Sequence, residues 1–351
     1  MSSFLDPAIL FFVFGLCAGL FKSNLEIPAP ISRFLSLYLL MSLGLKGGFA
    51  LAKSGFGGDV ASSLACAVLL AMVIPLLAWQ LLRRFVNDFD AAAIAATYGS
   101  VSAVTFITAT QMLETQQIPF GGHMAAAMAL MESPAIIMAV LFANRARHAA
   151  HLASQRRPAL LVHAGGGARL TAAAPAPGAS VPLATQGLSI KKLLHESFTD
   201  GAQLLLLGSL LIGWLTGEHG QKVMAPFSVD LFKGMLAFFL LDMGLLAARS
   251  IGGLKGQSKL VPLFALLAPL VHASLALGCA LVLHLKLGDA VLLMALAASA
   301  SYIAVPAVVR HAIPEANPSM YIGMSLALTF PLNILAGLPL YLLVARQFFP
   351  Q

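Results

Sequence analysis

Long apolar runs, separated by short polar stretches, dominate this chain. Ten of them approach the length of about 20 residues that a helix needs to cross a bilayer core. They cover about 7–22, 32–52, 61–82, 90–112, 121–144, 199–216, 229–248, 260–285, 289–311 and 320–346. The first and sixth are short, which suits shallow or tilted spans. The pattern predicts an all-α polytopic membrane protein with ten transmembrane helices.

Two runs are interrupted in the same way. Tyr98-Gly99-Ser100-Val101-Ser102-Ala103-Val104-Thr105 lies inside the fourth run. Ala298-Ser299-Ala300-Ser301-Tyr302-Ile303-Ala304 lies inside the ninth, Ser299 being 199 positions after Ser100. Each holds a Ser-x-Ser among small residues, followed by Val104 and Thr105 in one and by Pro306 in the other. Both are expected to be broken helices whose breaks face each other.

Composition agrees with a membrane protein. Mean hydropathy is +0.88 and charged residues make up 10%, against roughly 25% in soluble domains. The net charge of +7 does not point to nucleic acid, because the basic residues sit in the loops that set membrane orientation. Cys17, Cys66 and Cys279 fall in apolar runs and are expected to be buried thiols without a disulfide. The first apolar run lacks a basic leader and a cleavage site, so no signal peptide is expected.

Residues 145–198 differ from the rest. They carry Arg145, Arg147, Arg156, Arg157, Arg169, Lys191 and Lys192, with Gly165-Gly166-Gly167 and Ala174-Pro175-Ala176-Pro177-Gly178. This composition predicts a flexible, basic linker between a first repeat, 1–144, and a second, 199–351. The halves match in order: Asp6 with Asp200, Ser42-Leu43-Gly44-Leu45 with Asp242-Met243-Gly244-Leu245, Asp90 with Asp289, the Ser-x-Ser pairs, and Pro134 with Pro331. Five spans per half is an odd number, so the second copy enters the membrane from the other side, as a 5+5 inverted repeat.

With the linker in the cytoplasm, 15 of the 21 Lys and Arg residues fall on the inner side. Lys22, Arg33, Arg83, Arg84, Arg249, Lys255, Lys259 and Arg310 join the seven linker charges there. Both termini are then expected outside.

A broken helix frees backbone N–H and C=O groups where no water can satisfy them. The N-terminal ends of the half-helices are partly positive and rich in donors, which suits a small anion. Freed carbonyls with a nearby carboxylate suit Na⁺. The other reading is that Ser and Gly only allow close helix packing. Glu132, in Met131-Glu132-Ser133-Pro134, is costly at mid-membrane and needs either a partner or a function. It is a cation ligand or a neutral acid hydrogen-bonded between helices. The matching stretch of the second half, Thr329-Phe330-Pro331-Leu332-Asn333, has no carboxylate and offers the amide of Asn333. Asp242 either lines the pathway or pairs with Lys46 or Lys233, and Lys46 is placed where its stem can reach the membrane surface.

No enzyme is evident. Gly165-Gly166-Gly167 lacks the Lys-Ser/Thr of a phosphate loop, and no Ser/His/Asp set or Cys/His metal spacing falls within a span. His148 and His151 read as solvated residues, and His272 as a satisfied core residue.

Leu37-Tyr38-Leu39-Leu40 leading into Gly44-Leu45-Lys46-Gly47-Gly48, Tyr98-Gly99-Ser100-Val101-Ser102-Ala103, Phe232-Lys233-Gly234 and Leu240-Leu241-Asp242-Met243-Gly244 together resemble the SbtA family of sodium-dependent bicarbonate transporters. The resemblance runs over nearly all of the chain apart from the linker. It implies a core domain moving against a gate domain, a homotrimer in a bacterial plasma membrane, and Na⁺-driven bicarbonate uptake. It also implies bicarbonate at Gly99, Ser100, Ser102 and Ala103 on one side and Ala300, Ser301 and Tyr302 on the other. Tyr98 and Val101 complete the candidate anion site. Ser100, Thr105, Glu132, Asn333 and Asp242 are the candidate Na⁺ ligands. Cyanobacterial members can be shut off by a small PII-like trimer on the cytoplasmic face.

The expected function is therefore elevator-like Na⁺/bicarbonate symport. Three other functions stay open: symport of another small anion such as a carboxylate, a channel, and a non-transporting receptor that docks a cytoplasmic protein through the basic linker.

Overall fold

A computed structural model describes residues 6–55, 58–161, 201–254 and 256–349. Among them the chain is helical throughout. Helix α1 is Pro7–Leu20, α2 Ala29–Ser54, α3 Gly58–Leu82, α4 Asp88–Gly99, α5 Ala103–Thr115 and α6 His123–Leu161. In the second half, α7 is Gly201–Ala225, α8 Phe232–Ser250, α9 Leu260–Val282, α10 Leu287–Ala298, α11 Ala304–Ala312 and α12 Pro318–Phe348.

Seven helical stretches among the described residues are long and apolar enough to cross a membrane. The difference from ten has local causes. Helix α1 has 14 residues, a rise of only about 21 Å. Its start is set by Asp6, whose carboxylate accepts the Ala8 N–H at 2.9 Å, and by Pro7 at the first helical position. The ninth expected span is split into α10 and α11. The sixth and seventh form one helical stretch, Gly201–Leu254. It turns at Gly217, where φ is 53° and ψ −137°, in the left-handed region that glycine enters without penalty. Helix α12 contains two wide turns of the π type, Gly323–Thr329 and Asn333–Gly337, on either side of Phe330–Leu332.

Helix α6 continues to Leu161, beyond the change of composition at Arg145. Residues 145–161 are rich in Ala, Arg and Leu, all good helix formers. The remainder of the linker, with Arg169, Lys191, Lys192 and both Gly/Pro-rich stretches, lies outside the described residues. So do Asp200 and Lys255.

The helices pack as two groups. In the first, α1 lies along α8 and α2 along α7, with α2 also touching α8. In the second, α3 packs on α4 and α6, α9 on α10, and α10 on α5 and on the C-terminal part of α12. Contacts of α6 with α2 and α7, and of α8 with α12, join the groups. The α1–α8 and α2–α7 pairings are reciprocal, each joining the first helix of one half to the second helix of the other. The matched glycines sit at these crossings. A Cβ on Gly44 would fall 2.4 Å from the Leu206 carbonyl oxygen, and one on Gly244 would fall 2.3 Å from that of Phe12. Small residues allow such close approach between membrane helices.

All three cysteines are free thiols. Cys66 is buried and Cys279 half-buried, but Cys17 is exposed on α1, which corrects the expectation that all three are buried. Cys17 falls on a face that also exposes Leu10, Phe11 and Phe14.

Candidate functional site

The site is built where α4 gives way to α5 and α10 to α11. Helix α4 ends at Gly99, and Ser100 is extended, with φ −94° and ψ −176°. Helix α10 ends at Ala298, and Ser299 is extended in the same way, with φ −81° and ψ 162°. Both spans are therefore broken, at the two Ser-x-Ser stretches.

The breaks touch. The Ser102 amide donates to the Ser299 hydroxyl at 2.9 Å, and the Ser301 amide donates to the Thr97 carbonyl at 2.8 Å. The second serine of each pair caps the half-helix that follows. Ser102 Oγ accepts the Thr105 N–H at 3.2 Å, and Ser301 Oγ accepts the Val305 N–H at 3.2 Å. Such caps satisfy donors that a helix start leaves free. The carbonyl freed at the end of α10 is satisfied too, since Asn333 Nδ2 donates to Ala298 O at 2.9 Å.

The far ends of the broken helices are held by matched acids. Asp90 Oδ1, in the first turn of α4, accepts the Asn317 N–H ahead of α12 at 2.7 Å. Asp289 Oδ1, in the first turn of α10, accepts the Gly121 N–H ahead of α6 at 2.6 Å. Each acid thus ties its own broken helix to the start of a helix in the other half.

Beside the breaks is a cavity of about 80 Å³. Val101, Ser102, Ala103, Ser301 and Tyr302 line it from the breaks, Glu132 from α6, Ser36 from α2 and Gln203 from α7. It is far smaller than the roughly 300–1,000 Å³ of pockets for drug-sized ligands, and holds a few water-sized solutes. Four of its residues, Ser36, Phe239, Tyr302 and Ile303, also line an opening of about 540 Å³ near the start of α2, with Glu26, Arg33, Asp242 and Arg249. A third space, of about 440 Å³ at the other end of α2, shares no lining residue with the cavity.

Ser102, Val101, Ala103, Ser301 and Tyr302 come together as candidate anion-site residues. The Tyr302 hydroxyl lies beside the Ser102 side chain. Tyr98, Gly99, Ser100 and Ala300 do not line the cavity. Tyr98 turns away: its hydroxyl meets Thr329 Oγ1 at 2.6 Å. Because the Thr329 hydroxyl donates to Ala265 O at 2.7 Å, Tyr98 is the donor in that pair. At Gly99 a Cβ would fall 2.6 Å from Pro75 Cδ, so this glycine lets α4 approach α3 and does not open the backbone to a solute.

The five candidate Na⁺ ligands are not one shell. Ser100 Oγ and Thr105 Oγ1 are buried at the first break without a hydrogen-bond partner among the described residues. Glu132 lines the cavity and accepts a hydrogen bond from Gln203 Nε2. Asn333 is engaged on both sides of its amide: Oδ1 accepts the Tyr341 hydroxyl at 2.8 Å and Nδ2 donates to Ala298 O. Asp242 lines the larger opening and accepts from Ser32 Oγ. Lys46 instead pairs with Glu114 at 3.0 Å, with its ammonium 4.1 Å from the centre of the Phe232 ring. Of the alternatives for Asp242, the pair with Lys46 is not formed: Asp242 bonds Ser32 and lines an opening, and Lys46 bonds Glu114. Among the described residues no group of three or more His, Cys, Asp and Glu side chains converges to hold a metal.

Sequence reasoning missed Gln203, Ser36 and Gln111 on otherwise apolar faces. An amide inside an apolar run is itself a signal, because such a group needs a partner in the membrane. In the second half of α6, Arg147 makes paired bonds to Glu315, with Nη2 to Oε2 at 2.9 Å, and donates to Ala312 O at 2.8 Å. Its guanidinium holds the Glu315 carboxyl below the usual carboxylate range.

Touching helix breaks beside a small cavity that holds a few polar groups, within a frame of apolar helices, define a multi-pass membrane protein of the kind that carries small solutes. Residues 7–346 match the family model described as the Na⁺-dependent bicarbonate transporter superfamily, and the chain belongs to that family. No individual curated protein matches it.

Proposed function

We propose that the protein takes up bicarbonate together with Na⁺, as a symporter, by an elevator-like motion. The observation that carries this reading is the convergence of two breaks on one small cavity, with Ser102 and Ser301 on its wall. Both serine oxygens already accept a backbone N–H, which leaves their hydroxyl protons free to donate to an anion. The N-terminal ends of α5 and α11 add positive potential there. Bicarbonate is planar, singly charged and small enough for a cavity of about 80 Å³.

Na⁺ would take oxygen ligands beside it. Ser100 Oγ and Thr105 Oγ1 support this, because buried hydroxyls without partners call for an ion or a water. Glu132 would add the negative charge, in exchange for its bond to Gln203. Each ion lowers the cost of placing the other in a site without bulk water, so their binding is coupled.

Matched contacts of Gly44 with Gly244, of Asp90 with Asp289 and of the two breaks support a 5+5 inverted repeat. The two helix groups support a gate of α1, α2, α7 and α8 and a moving core of the others. Charge distribution favours the linker inside and an opening at Arg33 and Arg249 that faces the cytoplasm. The homotrimer stays an implication of the resemblance.

Anion competition tests the reading. In vesicles with an inward Na⁺ gradient, unlabelled bicarbonate should suppress ¹⁴C-bicarbonate uptake, and acetate, nitrate and sulfate should do so weakly. Equal suppression by sulfate would contradict a cavity built for a small monovalent anion.

A further inference from the structure

Helices α3 and α9 bound a second space that the transport reading does not use. It is a groove of about 380 Å³, lined by Leu77 and Leu81 of α3, Phe85 just after it, and Leu263, Leu267 and Val271 of α9. These side chains are exposed by 44–57% among the described residues. At its inner end lies His272, buried to all but 4%. His272 hydrogen-bonds the Ala297 backbone, and its Nδ1 has no partner among the described residues.

The other end is charged. Helix α3 stops at Leu82 and is followed by Arg83 and Arg84, while α9 starts at Leu260 directly after Lys259. Phe85 and Leu260 both line the groove, which brings these termini to the same end. All three basic side chains are exposed. Arg83 stacks over the Trp79 ring with its guanidinium carbon 4.9 Å from the ring centre; Trp79 packs on Phe142 of α6 and does not line the groove, so Arg84 and Lys259 are the cations left to it. The nearest acid along the chain is Asp88.

We infer that this groove binds one anionic phospholipid, with acyl chain along α3 and α9 and phosphate between Arg84 and Lys259. The two parts of the groove match the two parts of such a molecule. Apolar side chains facing hydrocarbon would accept any lipid tail, so the selectivity lies in the cations. Basic clusters at the cytoplasmic ends of membrane helices attract anionic headgroups, and this is the end that charge distribution assigns to the cytoplasm. Arg84 offers fork-shaped donors suited to phosphate oxygens. A zwitterionic lipid brings its own cation to the same place and loses most of that attraction.

Lipid-retention measurements on the purified full-length protein test the inference. Delipidated protein in detergent is titrated with phosphatidylglycerol or phosphatidylcholine, and bound lipid is counted by native mass spectrometry. One phosphatidylglycerol should be retained in preference to phosphatidylcholine. The Arg84→Gln/Lys259→Gln double variant should bind it roughly 10- to 30-fold more weakly, given about 1 kcal/mol per basic residue at a membrane surface. Leu267→Trp, which fills the groove and leaves the cations, should also displace it. Thermal unfolding of each variant without lipid separates loss of binding from loss of folding. Equal retention of both lipids would overturn the inference. So would charge variants that fold and bind as wild type, or cross-links showing a second copy of the chain seated on α3 and α9.

Discussion

The Ser102 amide donates to the Ser299 hydroxyl at 2.9 Å, and this bond joins the two broken helices into one unit. Ser299 Oγ also donates to Leu296 O at 2.8 Å, so a single hydroxyl ends α10 and anchors the start of α5. Ser299→Ala leaves the buried Ser102 N–H without an acceptor, at a cost of about 1–3 kcal/mol. Uptake at subsaturating bicarbonate should fall roughly 5- to 100-fold while the protein still reaches the membrane. Transport assays on matched amounts of purified protein check this, and wild-type uptake would show that the bond does not position the site.

Glu132 faces the cavity with Gln203 as its partner. Glu132→Gln keeps a hydrogen bond to that amide but removes the charge. The Na⁺ concentration for half-maximal uptake should rise about tenfold or more, an ordinary cost for a lost charged hydrogen bond. An unchanged Na⁺ response would remove Glu132 from the cation site and leave it as a helix-to-helix bond.

Lys46 and Glu114 bridge α2 and α5 at 3.0 Å, at the end of α2 away from the larger opening. The proposed elevator motion would have to break this pair. It is partly exposed, so it is worth about 0.2–1 kcal/mol. Lys46→Gln should raise the reaction rate of a cysteine placed at Thr110, which lines the space beside it, with a membrane-impermeant maleimide by roughly 1.5- to 5-fold. An unchanged rate would mean that the bridge does not hold that side closed.

Glu315 titrates below the usual carboxylate range because Arg147 hydrogen-bonds it. A carboxyl with a depressed folded-state value stabilises the fold fully above its unfolded value of about 4.3. That stability is lost as pH falls through the lower, folded value. The melting temperature of wild type should therefore exceed that of Glu315→Gln at pH 6, and the gap should begin to shrink as pH falls below about 4.3 and close once the folded value is passed. A gap independent of pH would rule out the ion pair as its source.

The all-helical, multi-span character, the two breaks and their mutual contact were legible because they depend on local chemistry, apolar run length, Ser-x-Ser among small residues and repetition, whereas seven spans stand among the described residues against ten expected. The pairing of Gly44 and Gly244 was legible for the same reason. What Tyr98, Asn333 and Asp242 do was not. Helices that are apolar all round carry no face in their pattern, so the direction of a side chain is set by neighbours distant in sequence. Tyr98 meets Thr329, Asn333 meets Ala298 and Tyr341, and Asp242 meets Ser32. Gln203, the partner of Glu132, lies 71 positions from it. The length of α1 was legible as short but not the cause, since the Asp6 cap is a matter of backbone geometry.

Uptake of ¹⁴C-bicarbonate by the purified protein in sealed vesicles, with an imposed inward Na⁺ gradient, tests the paired-break site most directly when wild type and Ser102→Val are run side by side. Wild type should accumulate bicarbonate above the level that the anion's own electrochemical gradient allows, and only with the Na⁺ gradient. Ser102→Val, folded and inserted, should accumulate none. Wild-type uptake that ignores Na⁺, or a Ser102→Val variant that transports normally, would contradict the account.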